Sequence, residues 1–162
     1  MTKINMLTLI IIIALNISCN QEKVQNQNSQ KNLEILKTIS DTSKFTVIEY
    51  NEDAKWVFSE NCKKTNLTKN DLDNIDFLLN EKVQKDNFLA EKIDLDKYKR
   101  QYVTVINEKN EKIVWINCFC GNWTKNSRKQ IFAVEDGGNC YFNLKINLTT
   151  KKIYDFIVNG EA

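Results

Sequence analysis

Apolar positions along the chain repeat with two periods, and the most regular stretch is helical. Leu72, Ile75, Leu78, Leu79 and Val83 recur at three- and four-residue spacing, with Asp73, Asn74, Glu81 and Lys82 on the other side. Thr68, followed three residues later by Asp71, approximates a capping box, and Leu67 and Leu72 sit where a hydrophobic staple would place them. The pattern predicts a helix over 69–86. A shorter helical stretch is expected at 33–39.

Most of the remaining chain alternates. Over 141–148, Phe142, Leu144, Ile146 and Leu148 point one way and Tyr141, Asn143, Lys145 and Asn147 the other, as in a strand covered on one face. Over 112–120 both faces carry apolar residues, with Val114 and Ile116 opposite Trp115 and Phe119, which suits a central strand. The runs 45–50, 55–58, 102–106, 130–135 and 152–158 are also β-rich. Polar turns separate them: Asn51-Glu52-Asp53, Asn107 to Asn110, and Thr149-Thr150-Lys151. At Asp136-Gly137-Gly138-Asn139 the glycines supply positive φ. The expected fold class is α+β, a curved antiparallel β-sheet with one main α-helix on its concave face.

The first residues follow neither period. Lys3 precedes an apolar run from Met6 to Ile17, broken only by Thr8 and Asn16. That run is about 12 residues long, short of the roughly 20 that cross a bilayer, so a cleaved export signal is expected. Leu15-Asn16-Ile17-Ser18-Cys19 resembles a lipobox, in which a small residue precedes a cysteine that is diacylated and becomes the new N-terminus. Asn16 replaces the usual Leu three places before the cysteine, and Leu15 stands in for it. Two acyl chains give durable anchoring, at about 0.8 kcal/mol per buried CH₂. After Cys19, residues 20–32 are rich in Gln, Asn and Lys and cannot bury enough surface to fold. The expected division is a signal peptide (1–18), a lipidated cysteine with a tether (19–32) and a single globular domain (33–162). The alternatives are an ordinary secretory signal with an incidental Cys19, or an uncleaved anchor.

Composition narrows the chemistry. With 162 residues, 42% of them hydrophobic, one domain can close its own core. The absence of His excludes Ser-His-Asp and Cys-His machinery and every His-ligated metal site. The balance of 23 Lys+Arg against 21 Asp+Glu leaves no electrostatic footprint for nucleic acid. Lys97, Lys99 and Arg100 form the nearest thing to a basic cluster. Asp94 and Asp96 precede them, so a self-compensated surface stretch is expected.

Besides Cys19, the domain carries Cys62, Cys118, Cys120 and Cys140, and in an exported domain disulfides are the first expectation. Cys118 and Cys120 leave the same face of one strand, and Cys140 lies in phase with Phe142 on the next hairpin. A bridge from Cys140 to Cys118 or Cys120 therefore needs only adjacent strands, and the remaining cysteine would reach Cys62. Competing readings are reduced cysteines buried in the core, a Cys₄ zinc site and a thiol–disulfide reagent. Zinc lacks a C-x₂-C knuckle, and thiol chemistry lacks a cationic neighbour to lower the thiol pKa. No metal or cofactor is expected.

Asp71 with Asp73, and Asp94 with Asp96, do not continue into a calcium loop. Nothing places Glu135, Asp136 or Glu161 across a cleft as a carboxylate pair. Residues 120–129 form a polar, glycine-containing loop with Trp123 near its start and Arg128 near its end, residue types common at binding hot spots. Trp123 and Arg128 are the candidate partner-binding residues.

The segments Trp-Ile-Asn-Cys-Phe-Cys at 115–120, Gly-Gly-Asn-Cys-Tyr-Phe at 137–142 and Val-Asn-Gly-Glu-Ala at 158–162 resemble small lipoproteins of Bacteroidota. The resemblance covers roughly the last 65 residues. It implies a cell-envelope location and no particular activity. The expected function is a non-enzymatic envelope lipoprotein, anchored to the inner or outer membrane through its lipid, whose domain binds another envelope protein or a small ligand. The alternatives are a small envelope enzyme using carboxylates or thiols, and a purely structural or inhibitory module.

Overall fold

A strand apolar on both faces needs strands on either side and a layer above and below, and 112–119 receives all four. The computed structural model describes residues 43–58 and 61–160. Its strands are β1 (Phe45–Val47), β2 (Lys63–Lys64), β3 (Lys99–Ile106), β4 (Lys112–Phe119), β5 (Tyr141–Asn147) and β6 (Lys152–Val158). Its helices are α1 (Lys69–Lys85) and α2 (Asn87–Lys92). One open sheet has the order β1-β3-β4-β5-β6, with β2 pairing on β3 beyond the end of β1. The fold is α+β. The expected lipobox, tether and 33–39 helix lie outside the described residues.

The sheet is mixed rather than wholly antiparallel, because β1 joins β3 in parallel, Phe45 opposite Arg100. Parallel neighbours need a long crossover, and the α1-bearing stretch between β1 and β3 supplies it. The other pairings are antiparallel, with Ile116 between Tyr102 and Leu144 in the centre.

α1 starts where the capping residues put it. Thr68 Oγ1 accepts a hydrogen bond from the Asp71 backbone N–H at 3.2 Å, and the Asp71 carboxylate accepts one from the Thr68 N–H at 2.7 Å. Leu67, Leu72, Ile75, Leu79 and Val83 are buried, each contributing about 1.5–3 kcal/mol of gross burial. Two ion pairs fix the sheet face that α1 covers. Lys112 meets Asp71 at 2.8 Å and Arg100 meets Asp76 at 2.6 Å, and these strand residues share a face with Ile116, Cys118 and Phe142. Arg100 is therefore buried, not part of a solvated basic surface.

The Asp71 carboxyl is half-buried, and burial alone would raise its pKa. Hydrogen bonds from Lys112 and from the Thr68 N–H and hydroxyl, with the Lys112 charge, outweigh burial and hold it below its ordinary value. A depressed folded pKa gives stability that is complete above the unfolded value, about 4, and lost as pH falls through the folded one. Urea midpoints measured from about pH 6 down to about pH 2 should therefore fall less steeply in Asp71→Asn than in the parent. Equal slopes would remove Asp71 from the account.

The opposite face has its own core, formed by Val103 and Trp115 with Ile48, Ala54 and Val57. Here the short β-rich runs fold differently from expectation. Residues 55–57 belong to a 3₁₀ turn over Glu52–Val57, and Phe58 caps it, so no strand forms there. Ala54 and Val57, three apart, both point inward, as a three-residue turn requires. The run 45–50 yields only the three residues of β1. The run 130–135 forms no strand, so the glycine turn closes no hairpin with it. Gly137 and Gly138 do have positive φ, 100° and 56°, and they lead into a 3₁₀ turn over Gly138–Cys140.

Candidate functional site

The β4–β5 ladder continues past its last paired residues, Phe119 and Tyr141, into Cys120 and Cys140. The Cys120 N–H donates to the Cys140 carbonyl at 3.0 Å, the Cα atoms are 5.1 Å apart, and the two sulfurs form a disulfide. Cys140 thus chooses Cys120 over Cys118. Cys62 and Cys118 are unpaired thiols, contrary to the expected second bridge. Register explains why. Cys62 precedes Lys63, which pairs with Ile106, whereas Cys118 pairs with Arg100 at the other end of β3. Six residues of strand separate these ends by about 20 Å, and a disulfide needs Cα atoms within about 7 Å. Cys118 is fully enclosed, and burial pushes its thiol pKa up to about 12. That removes its nucleophilic character at neutral pH.

The disulfide closes the base of a loop, 121–139, that lies against the sheet face opposite α1. Two buried amides hold it there. Gln101 and Asn117 are cross-strand neighbours on β3 and β4. Gln101 Nε2 donates to the carbonyls of Ser127 and Gln130 at 2.5 and 2.8 Å. Asn117 Nδ2 donates to Gln101 Oε1 and to the Phe132 carbonyl, both at 3.0 Å. Within the loop, the Thr124 N–H donates to Ser127 Oγ and the Ser127 N–H to Thr124 Oγ1. The backbone of 130–135 is committed partly to these side chains, which explains why its β-prone sequence makes no strand.

Trp123 and Arg128 come together in this loop. The Arg128 guanidinium lies 4.6 Å from the centre of the Trp123 ring, and Trp123 meets the Phe119 ring edge-on at 5.2 Å. Trp123 Nε1 donates to the Ser43 carbonyl at 2.8 Å, and Thr46 Oγ1 to that of Arg128 at 3.1 Å. Trp123 is folded back and half-buried.

Beside this pair opens a pocket of about 290 Å³. Phe119, Phe132 and Tyr141 supply its aromatic wall, and Asn122, Thr124, Asn126, Ser127 and Gln130 its polar side. The rings are fixed. Phe119 and Phe132 pack edge to face at 5.1 Å. A Cβ on Gly137 would come within 2.6 Å of the Tyr141 ring, so only glycine leaves that ring its place. Sequence reasoning singled out Trp123 and Arg128 but missed Gln101 and Asn117. Their signal was a polar residue on an apolar phase: Gln101 keeps step with Val103 and Val105, and Asn117 with Trp115 and Phe119.

Two other pockets are occupied by their own chemistry. One of about 310 Å³ contains Asp76, Asp94 and Asp96. Asp76 pairs with Arg100, Asp94 with Lys97 and Asp96 with Lys44. Another, of about 540 Å³, has Cys62 beside Glu52, Lys55 and Lys64. There Lys55 pairs with Glu52 and Lys64 with Glu49. Among the described residues no group of Cys, Asp and Glu is arranged to hold a metal, and no helix is long and apolar enough to cross a membrane. Comparison with family models, with curated proteins and with solved structures finds no match to this chain.

Proposed function

We propose that the protein is a lipid-anchored lipoprotein of the bacterial cell envelope, of the small Bacteroidota type, whose domain is a non-enzymatic binding module. The observation that carries the binding reading is a loop clasped by Cys120–Cys140, pinned to a rigid sheet by Gln101 and Asn117, and lining a preformed pocket. Binding sites are commonly loops positioned by a scaffold in this way. Tyr141 is the only ionisable side chain of the pocket wall. Such a lining favours recognition over acid–base chemistry. Trp123 and Arg128 form the adjoining rim, where a protein partner would add contacts. The anchoring reading rests on Lys3, the short apolar run and Leu15 to Cys19.

Intact mass of the protein from its own membranes tests the anchor and the cysteine assignment together. The expected mass is that of a diacylated chain starting at Cys19. Alkylation of the folded protein should label Cys62 alone, with Cys120 and Cys140 added only after reduction and Cys118 only on unfolding. A retained signal segment, or a chain without acyl groups, would remove the lipoprotein reading.

A further inference from the structure

We propose that the pocket against Phe119, Phe132 and Tyr141 takes a neutral saccharide of one or two rings, an assignment that rests on the binding reading above. Three observations converge on this ligand class. The first is the wall. Phe132 and Tyr141, both half-buried, supply aromatic surface to the pocket, with the buried Phe119 packed behind them, and aromatic surface suits the C–H face of a pyranose ring.

The second is the kind of polar group opposite. The side-chain amides of Asn122, Asn126 and Gln130 are exposed and have no hydrogen-bond partner among the described residues. The hydroxyls of Ser127 and Thr124, by contrast, are spent on each other's backbone. An amide offers donors and an acceptor on one plane. A row of hydroxyls, each both donor and acceptor, is the neutral ligand edge that uses both. A fatty chain would use neither.

The third is charge. No charged side chain lines the pocket. An anionic or cationic ligand would give up hydration there without an ionic partner. Of the loop's cations, Arg128 is stacked on Trp123, and Lys125 and Lys129 are exposed and do not line the pocket. The volume, about 290 Å³, lies at the small end of ligand sites. It admits a sugar or two and excludes a long lipid.

Saturation-transfer NMR on the full chain in detergent tests this, with N-acetylglucosamine, chitobiose and maltose as neutral probes. Glucuronic acid and glucosamine serve as charged comparators, and N-acetylphenylalanine amide as a neutral probe that is not a sugar. At least one neutral sugar should bind, more tightly than either charged comparator. Asn126→Ala and Gln130→Ala remove amides that hold no part of the fold, so both variants should keep the parent melting temperature. Each should weaken that sugar roughly fivefold, the worth of one hydrogen bond. Neutral sugars that fail to bind, bind no better than glucuronic acid or glucosamine, or are indifferent to both variants overturn the proposal. If only the phenylalanine amide binds, and Gln130→Ala weakens it, the saccharide assignment falls and the binding module stands. If no probe binds, both fall.

Discussion

Cys140→Ser is expected to lower the stability of the oxidised domain by about 3 kcal/mol, which is the chain-entropy value for a bridge between residues 20 apart. For a domain of this size that corresponds to a melting temperature lower by roughly 10 °C. The comparison to make is parent against variant under oxidising conditions, then both with reductant. Reductant should bring the parent down to the variant and leave the variant where it was. Because the bridge closes the pocket loop, hydrogen exchange over 121–139 should rise more than exchange in β3 or β4. A variant that melts with the oxidised parent would show that the β4–β5 ladder needs no clasp.

Phe142→Ala should cost more, about 3–5 kcal/mol. Phe142 is buried on the α1 side of β5, meets Tyr98 edge-on at 5.1 Å and stacks on Phe156 at 5.5 Å. Its cross-strand neighbour is Cys118. Truncation would empty a space bounded by strands β4, β5 and β6, where backbone hydrogen bonds prevent collapse. Phe77 is the control: it lies on the exposed side of α1, 65% accessible. Phe77→Ala should change stability by no more than about 0.5 kcal/mol. Urea denaturation distinguishes the two, and a cost at Phe142 below about 1 kcal/mol would mean that the site relaxes around the loss.

The readability of this chain follows the range of the interactions involved. α1 was legible because its start depends on residues three apart, Thr68 and Asp71, and its buried side on one period. β5 was legible because its alternation runs nearly its whole length, and β3, β4 and β6 because they are β-prone runs bounded by polar turns, β4 with apolar residues on both faces. The clasp was half legible: phase brought Cys140 to the right strand, but only the register told Cys120 from Cys118. The parallel pairing of β1 was not legible, since three residues carry no sign of direction. Residues 130–135 misled because their β-propensity is real, while the partners of their carbonyls are side chains on strands 15 to 29 residues away. The pocket belongs to the same class. Its aromatic wall comes from a strand end, a loop and the residue after a glycine turn, and no local pattern joins them.

The placement of Cys118 has a consequence for oxidative folding. In the unfolded chain Cys118 lies about 22 residues from Cys140, against 20 for Cys120. Loop-closure entropy separates the two pairings by only about 0.1 kcal/mol. Before the sheet forms, the wrong bridge is as accessible as the right one. Discrimination arises only once β4 and β5 align, which turns Cys118 inward beside Phe142 and sets Cys120 opposite Cys140. The hairpin acts as the proofreader of its own disulfide. Oxidation that outruns strand pairing would then populate a trapped isomer, and a thiol–disulfide shuffling catalyst would speed the arrival of the native bridge without altering its final yield.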